Sequence, residues 1–196
     1  MESVGSFILS VLTGVIGQNI VFYRAFGVST MISAAKNRRS LPGICLGVIY
    51  FSVISSAAAW AVARQSSFTV EKPYFPLIYA GIIGVLYAVT LVLSRIVLAK
   101  RFQRMKKYVH ISAFNSVVMG TIFLSAASCT QLWEFLLFGI SSGVGFAAAS
   151  ELLSAVYPSL CSENVPRVFR GYPAVMIFAG IIAMAVYGIM GHIARV

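Results

Sequence analysis

Phe75–Ala99 reads FPLIYAGIIGVLYAVTLVLSRIVLA, and Lys100–Lys107 follows directly as KRFQRMKK. The first stretch carries a single charge, Arg95, and shows no period-two alternation. It is long enough to cross the roughly 30 Å hydrocarbon core of a bilayer as a helix. In lipid every backbone N–H and C=O must be satisfied within the protein, which leaves helices or closed barrels. Long apolar runs without alternation are helices, not barrel strands. The basic run after it has the composition of a loop retained on the cytoplasmic side.

The rest of the chain repeats this pattern. Of its 196 residues, 59% are hydrophobic and 10% charged, with a mean hydropathy of +0.90. A soluble domain carries about 25% charged residues, so lipid must cover much of this surface. The formal charge of +10 sits between apolar runs. That is the pattern of membrane topology and argues against nucleic-acid binding. The start, MESVGSFILSVLTG, lacks a basic segment and a small-residue cleavage site, so it reads as a first helix, not a removed signal peptide. Cys45, Cys129 and Cys161 are widely spaced and odd in number. They read as free thiols, with neither a disulfide nor a metal site.

The expected fold is an all-α integral membrane domain over residues 1–196 with six transmembrane helices. Span 1 covers about Ser3–Phe26, with Gly14, Gly17, Gln18 and Asn19 inside it and an unwound stretch near Gly27–Ser33. A basic turn, Lys36–Arg39, leads to span 2, from Leu41-Pro42 to Ala63; proline costs little in a first helical turn. Span 3 is Phe75–Ala99 and span 4 is Tyr108–Ser128. Span 5 covers Leu132–Tyr157 and is ended by Pro158; span 6 covers Tyr172–Ala194.

With six spans, Lys36, Arg38, Arg39, Lys100, Arg101, Arg104, Lys106, Lys107, Arg167 and Arg170 lie on one side, and Arg64, Lys72 and Arg195 on the other. The positive-inside rule makes the richer side cytoplasmic and puts both termini outside. KRFQRMKK reads first as this topology signal, in contact with anionic lipid, and alternatively as a docking site for a soluble partner.

The two halves resemble each other. Pro76 precedes Ala80-Gly81-Ile82-Ile83, and Pro173 precedes Ala179-Gly180-Ile181-Ile182. Asn19 in span 1 matches Asn115 in span 4, and Ala57–Ala59 matches Ala147–Ala149. The pattern implies two three-helix repeats, about 1–99 and 108–196. Because three is odd, the second copy is inverted, and a functional site falls near mid-membrane between the repeats. Asn19 and Asn115 need partners at that depth, either as interhelical hydrogen bonds or as caps of half-helices beside a central site. Gly43-x-x-x-Gly47 and Gly139-x-x-x-Gly143 permit close helix contact. Glu151 is the candidate intramembrane carboxylate, and its cost in lipid calls for a protein-facing, paired or protonated state. No Walker loop, dinucleotide fingerprint or nucleophile elbow is present, so no catalytic residue is assigned.

The stretch Val165-Pro166-Arg167-Val168-Phe169-Arg170-Gly171 and the Tyr172–Gly191 helix after it resemble the end of the RnfA/NqrE-type subunit of the Rnf/Nqr ion-translocating electron-transport complexes. Gln18–Val21 with Phe26-Gly27, Phe114–Gly120, and Phe138-Gly139 with Gly143–Phe146 look like other parts of that family. The resemblance implies six helices, inverted repeats, a prokaryotic inner (plasma) membrane, and a second membrane subunit of the same fold, or a homodimer. It also implies a 2Fe–2S iron–sulfur cluster held by one cysteine from each repeat of each subunit. The matching positions here are Ser29 and Ser116. Serine is a hard, protonated ligand and a poor one for iron–sulfur clusters. The expectation is therefore a family-like subunit without its own cluster, at most a non-catalytic part of a translocase. In place of the cluster, Ser29, Ser116, Asn19, Asn115, Gly27 and Gly120 would form a central polar pocket, empty, solvated or holding a small polar ligand. The alternatives are a small-solute transporter or channel on the same scaffold, or a protein that only organises other membrane subunits.

Overall fold

A computed structural model describes residues 21, 24–65, 74–97 and 102–193, so Asn19 and the rest of span 1 up to residue 20 lie outside the described residues. Among the described residues the regular elements are all helices: α1 (Val28–Lys36), α2 (Leu41–Gln65), α3 (Phe75–Val97), α4 (Phe102–Ala113), α5 (Ser116–Ser128), α6 (Leu132–Leu160) and α7 (Tyr172–Ile193). Within α2, α3 and α6, Leu41–Arg64, Pro76–Ile96 and Leu132–Leu160 are long and apolar enough to cross a membrane. Met105–Ala113 and Ser116–Ser128 make a fourth if taken as one span bent by 44°. Tyr172–Gly188 is apolar but shorter.

Four boundaries differ from the sequence reading. Span 4 is not continuous: it breaks at Phe114-Asn115, because the Asn115 side chain competes for the backbone and caps a new helix. The second part of KRFQRMKK is not a loop. From Phe102 it is helical, since Arg, Gln, Met and Lys are good helix formers despite their polarity. Among the described residues the unwound stretch is 25–27, with Ala25 (φ 57°) and Gly27 (φ 76°) left-handed, and Val28–Ser33 is helical. Pro158 does not end α6, which runs on to Leu160. Proline removes one ladder bond, and here only the last turn follows it.

α2 and α6 form the centre of the packing. A Cβ on Gly139 would stand 2.8 Å from the Ser52 carbonyl oxygen, and one on Gly143 would stand 2.7 Å from Ile49 Cα. Contacts that climb one helix while descending the other mean that α2 and α6 run antiparallel. α4 lies on the opposite flank of α2, where Gly43 meets the Tyr108 ring, Gly47 meets Ser112, and Ser112 Oγ donates to the Ile44 carbonyl at 3.1 Å. Both glycine pairs therefore sit where backbones approach closely, the use of small residues expected when lipid supplies no hydrophobic drive between helices. Phe51, Phe135 and Phe146 fill the core, with Met31, Val48, Val117 and Leu153 around them. Among the described residues twelve serine, threonine and asparagine side chains are buried as well, Ser52, Ser55, Ser56, Thr121 and Ser125 among them. Several turn back on their own helix: Ser55 donates to the Ser52 carbonyl, Thr121 to Val117 and Ser125 to Ile122.

Candidate functional site: the junction of two broken helices

α1 and α5 both begin away from the ends of the bundle, and their N-termini meet. Gly27 is the N-cap of α1, and its positive φ is one that residues with a Cβ rarely adopt. Asn115 is the N-cap of α5; its Oδ1 accepts from the Val117 N–H at 3.1 Å. Between them, the Gly27 N–H donates to Ser116 Oγ at 2.7 Å across 89 residues of sequence. A Cβ on Gly27 would strike the Val117 side chain and approach Asn115 Oδ1 to 3.1 Å. Phe26 packs over Gly120, where an added Cβ would lie 2.5 Å from its ring. Thus Gly27, Asn115, Ser116 and Gly120 are brought together. Ser29 stands two residues into α1 from the same junction.

The junction is not an enclosed pocket. Ser29 and Ser116 are exposed, as is Phe114, while Gly27, Asn115 and Gly120 are buried behind them. Asn115 Nδ2 is buried and has no hydrogen-bond partner among the described residues. Two helix N-termini add partial positive charge at one spot, so the junction suits electron-rich groups.

Glu151 lies on α6. It is exposed on the outside of α6, whose core face carries Ser150, Leu153 and Ser154. The cysteines stand away from the junction. Cys45 is buried on α2, Cys129 caps the far end of α5, and Cys161 follows α6. Burial, and then the charge of Glu134, push the Cys129 thiol above its ordinary range.

Two basic segments meet the same end of the bundle. Arg38, after α1, donates from Nε to Ser154 Oγ near the end of α6 at 3.1 Å, and α4 begins beside the start of α2. The Val165–Gly171 motif is a compact turn. Phe169 and Arg170 N–H groups donate to the Pro166 carbonyl, Arg170 Nη2 reaches the Val165 carbonyl at 3.3 Å, and Gly171 turns left-handed (φ 87°) into α7. Sequence reasoning missed the Tyr87–His110 pair, where Tyr87 OH and His110 Nδ1 lie 3.3 Å apart. The spacing of Gln103, Lys106, Lys107 and His110 on one helical face was the available signal.

Residues 7–193 match the sequence profile of the family described as Rnf-Nqr subunit, membrane protein. Among curated relatives, a subunit of the ion-translocating oxidoreductase complex of Glaesserella parasuis is 22% identical over 94% of this chain and 96% of its own length. The protein of the same name in Shewanella sediminis is 23% identical over 94% and 97%. That of Escherichia fergusonii is 23% identical over 90% and 92%. The family profile spans nearly all of the chain and agrees with its apolar helices: this protein belongs to the Rnf-Nqr family of membrane subunits.

Proposed function

We propose that the chain is an integral inner-membrane subunit of an ion-translocating electron-transport complex, standing where its relatives stand in theirs, and that it holds no iron–sulfur cluster of its own. The proposal includes six spans in two inverted three-helix repeats with both termini outside. Several features support the inverted arrangement. α2 and α6, equivalent in the two halves, run antiparallel. α1 of the first half packs on α6, and α5 of the second packs on α2. Gly81 and Gly180, in the two Ala-Gly-Ile-Ile motifs, both face open space.

The observation that carries the cluster-free reading is the bond from the Gly27 N–H to Ser116 Oγ. At the position matching a family cysteine stands a hydroxyl already engaged in holding the two helix starts together. Iron–sulfur clusters take thiolates, or imidazoles at higher potential. Ser29 and Ser116 offer neither, and the three cysteines stand elsewhere. The residues present do not fit the group. The exposed serine edge instead supports a second membrane protein, of the same fold or another copy, completing the junction from outside. A transporter or channel for a small solute is favoured by one feature, the buried Asn115 Nδ2, which has no partner among the described residues.

Mild-detergent purification from native membranes, with cross-linking and mass spectrometry, separates the two. A complex subunit brings redox-complex membrane subunits with it. A chain that purifies alone and drives solute flux in liposomes contradicts the proposal.

A further inference from the structure

Glu151 is exposed on α6 and forms no ion pair among the described residues. Val144, Ala148 and Ala155, one or two turns away, are exposed with it. At about 100° per residue these four positions fall within about 60° of one another around the helix. Phe146, Ala149 and Leu153 point the opposite way and are buried. The bare face is thus the back of α6, turned from the core.

The packing of α2 on α6 fixes the level of the carboxylate. Gly143 meets Ile49. Eight residues on along α6, and eight back along the antiparallel α2, Glu151 comes level with Leu41, which opens the membrane-length stretch Leu41–Arg64. Arg38, reaching Ser154 Oγ with its Nε at 3.1 Å, marks the same end of the bundle. Glu151 therefore stands at the rim of the apolar layer, at the end where Lys36, Arg38 and Arg39 lie, and Val144 and Ala148 lie inside that layer. A carboxylate against hydrocarbon is costly unless it meets a cation or water. Arg38 does not supply the cation here, because it is held on Ser154, which is buried on another flank of α6.

We infer, on the reading of this chain as a subunit of a membrane complex, that the face of α6 from Val144 to Ala155 receives a membrane helix of another subunit, which ends in a lysine or arginine paired with Glu151. Membrane spans carry their lysines and arginines mostly at one end, on the side where this chain's own basic segments lie. A neighbouring span thus reaches the level of Leu41 with the charge that Glu151 lacks. Ala148 and Ala155 flank the carboxylate and let a second backbone come close. An anionic lipid headgroup would repel Glu151, and a zwitterionic one brings its ammonium only with a phosphate. A soluble partner would stay outside the layer that holds Val144 and Ala148.

The test has two arms, both on the complex isolated from native membranes. A photo-cross-linking phenylalanine analogue placed at Ala155 should give an adduct with a membrane-spanning segment whose last turn holds Lys or Arg, identified by sequencing the joined peptide. Glu151→Lys should lower recovery of that subunit about tenfold or more, since like charges face to face oppose association. Changing the partner's basic residue to Glu should restore recovery in the Glu151→Lys background and lower it in the native one. Glu151 is exposed, so Glu151→Lys should keep the native size-exclusion peak of the chain; if it does not, Glu151→Gln should show the same loss to a smaller degree. Adducts with lipid alone, or with a segment lacking Lys and Arg, overturn the inference. Unchanged recovery in both variants also overturns it. A chain that purifies without any subunit overturns the complex reading as well, whereas an intact complex without the adduct overturns this inference alone.

Discussion

Gly27 and Ser116 are joined by a 2.7 Å hydrogen bond that closes 89 residues of chain, from the backbone N–H at the start of α1 to the hydroxyl at the start of α5. The donor is buried and belongs to a helix end that has no other acceptor for it in its own turn. One serine therefore ties the two halves of the chain together.

Removing that acceptor should loosen the whole bundle. Ser116→Ala leaves a buried N–H unsatisfied and should cost about 1–3 kcal/mol. Ser116→Cys, with a weak sulfur acceptor, should lose less. Unfolding followed by circular dichroism in detergent checks the order; equal stability of all three proteins would show that the bond contributes nothing.

Gly27→Ala should be worse than Ser116→Ala. The left-handed backbone alone costs a residue with a Cβ about 1–2 kcal/mol. The new methyl would also strike Val117. Gly81→Ala, where nothing lies within 4 Å, should be tolerated in the same assay.

Gly143→Leu should separate α2 from α6, because even a Cβ there comes within 2.7 Å of Ile49 Cα. The matched control is Gly180→Leu, which meets open space. Fluorescence-detected size exclusion should show aggregation of the first and a native peak for the second. Identical native peaks would contradict the close α2–α6 contact.

Single cysteines at Ser40 and Ser66, in a background lacking Cys45, Cys129 and Cys161, test orientation. An impermeant thiol reagent applied to intact cells should label position 66 and spare position 40 if, as proposed, the basic segments near Ser40 lie inside. The reverse pattern reverses the topology.

The long helices were legible because they are written in hydropathy alone. Leu41, Phe75, Leu132 and Tyr172 begin helices where the apolar runs begin. The break at Asn115 was not, because two small polar residues barely lower the apolarity of their window. Only the local chemistry of Asn115-Ser116, a helix-capping pair, carries that information. The start of α4, before Tyr108, was hidden for the opposite reason: its helical propensity is high, but its charge reads as loop. The exposure of Glu151 could not be read either. It depends on which face of α6 meets α1 and α2, and α6 is apolar nearly all round. Ser29 and Ser116 stood out only by resemblance; their meeting at the Gly27 turn is a tertiary fact.

The most direct test is the iron content and visible spectrum of the protein purified anaerobically, alone. Less than stoichiometric iron and no absorption of a 2Fe–2S centre are expected from Ser29 and Ser116. Ser29→Cys with Ser116→Cys should still bind none unless a partner or a second copy supplies two more thiolates. Two irons per two native chains, with the charge-transfer bands of an iron–sulfur cluster, would contradict the cluster-free reading.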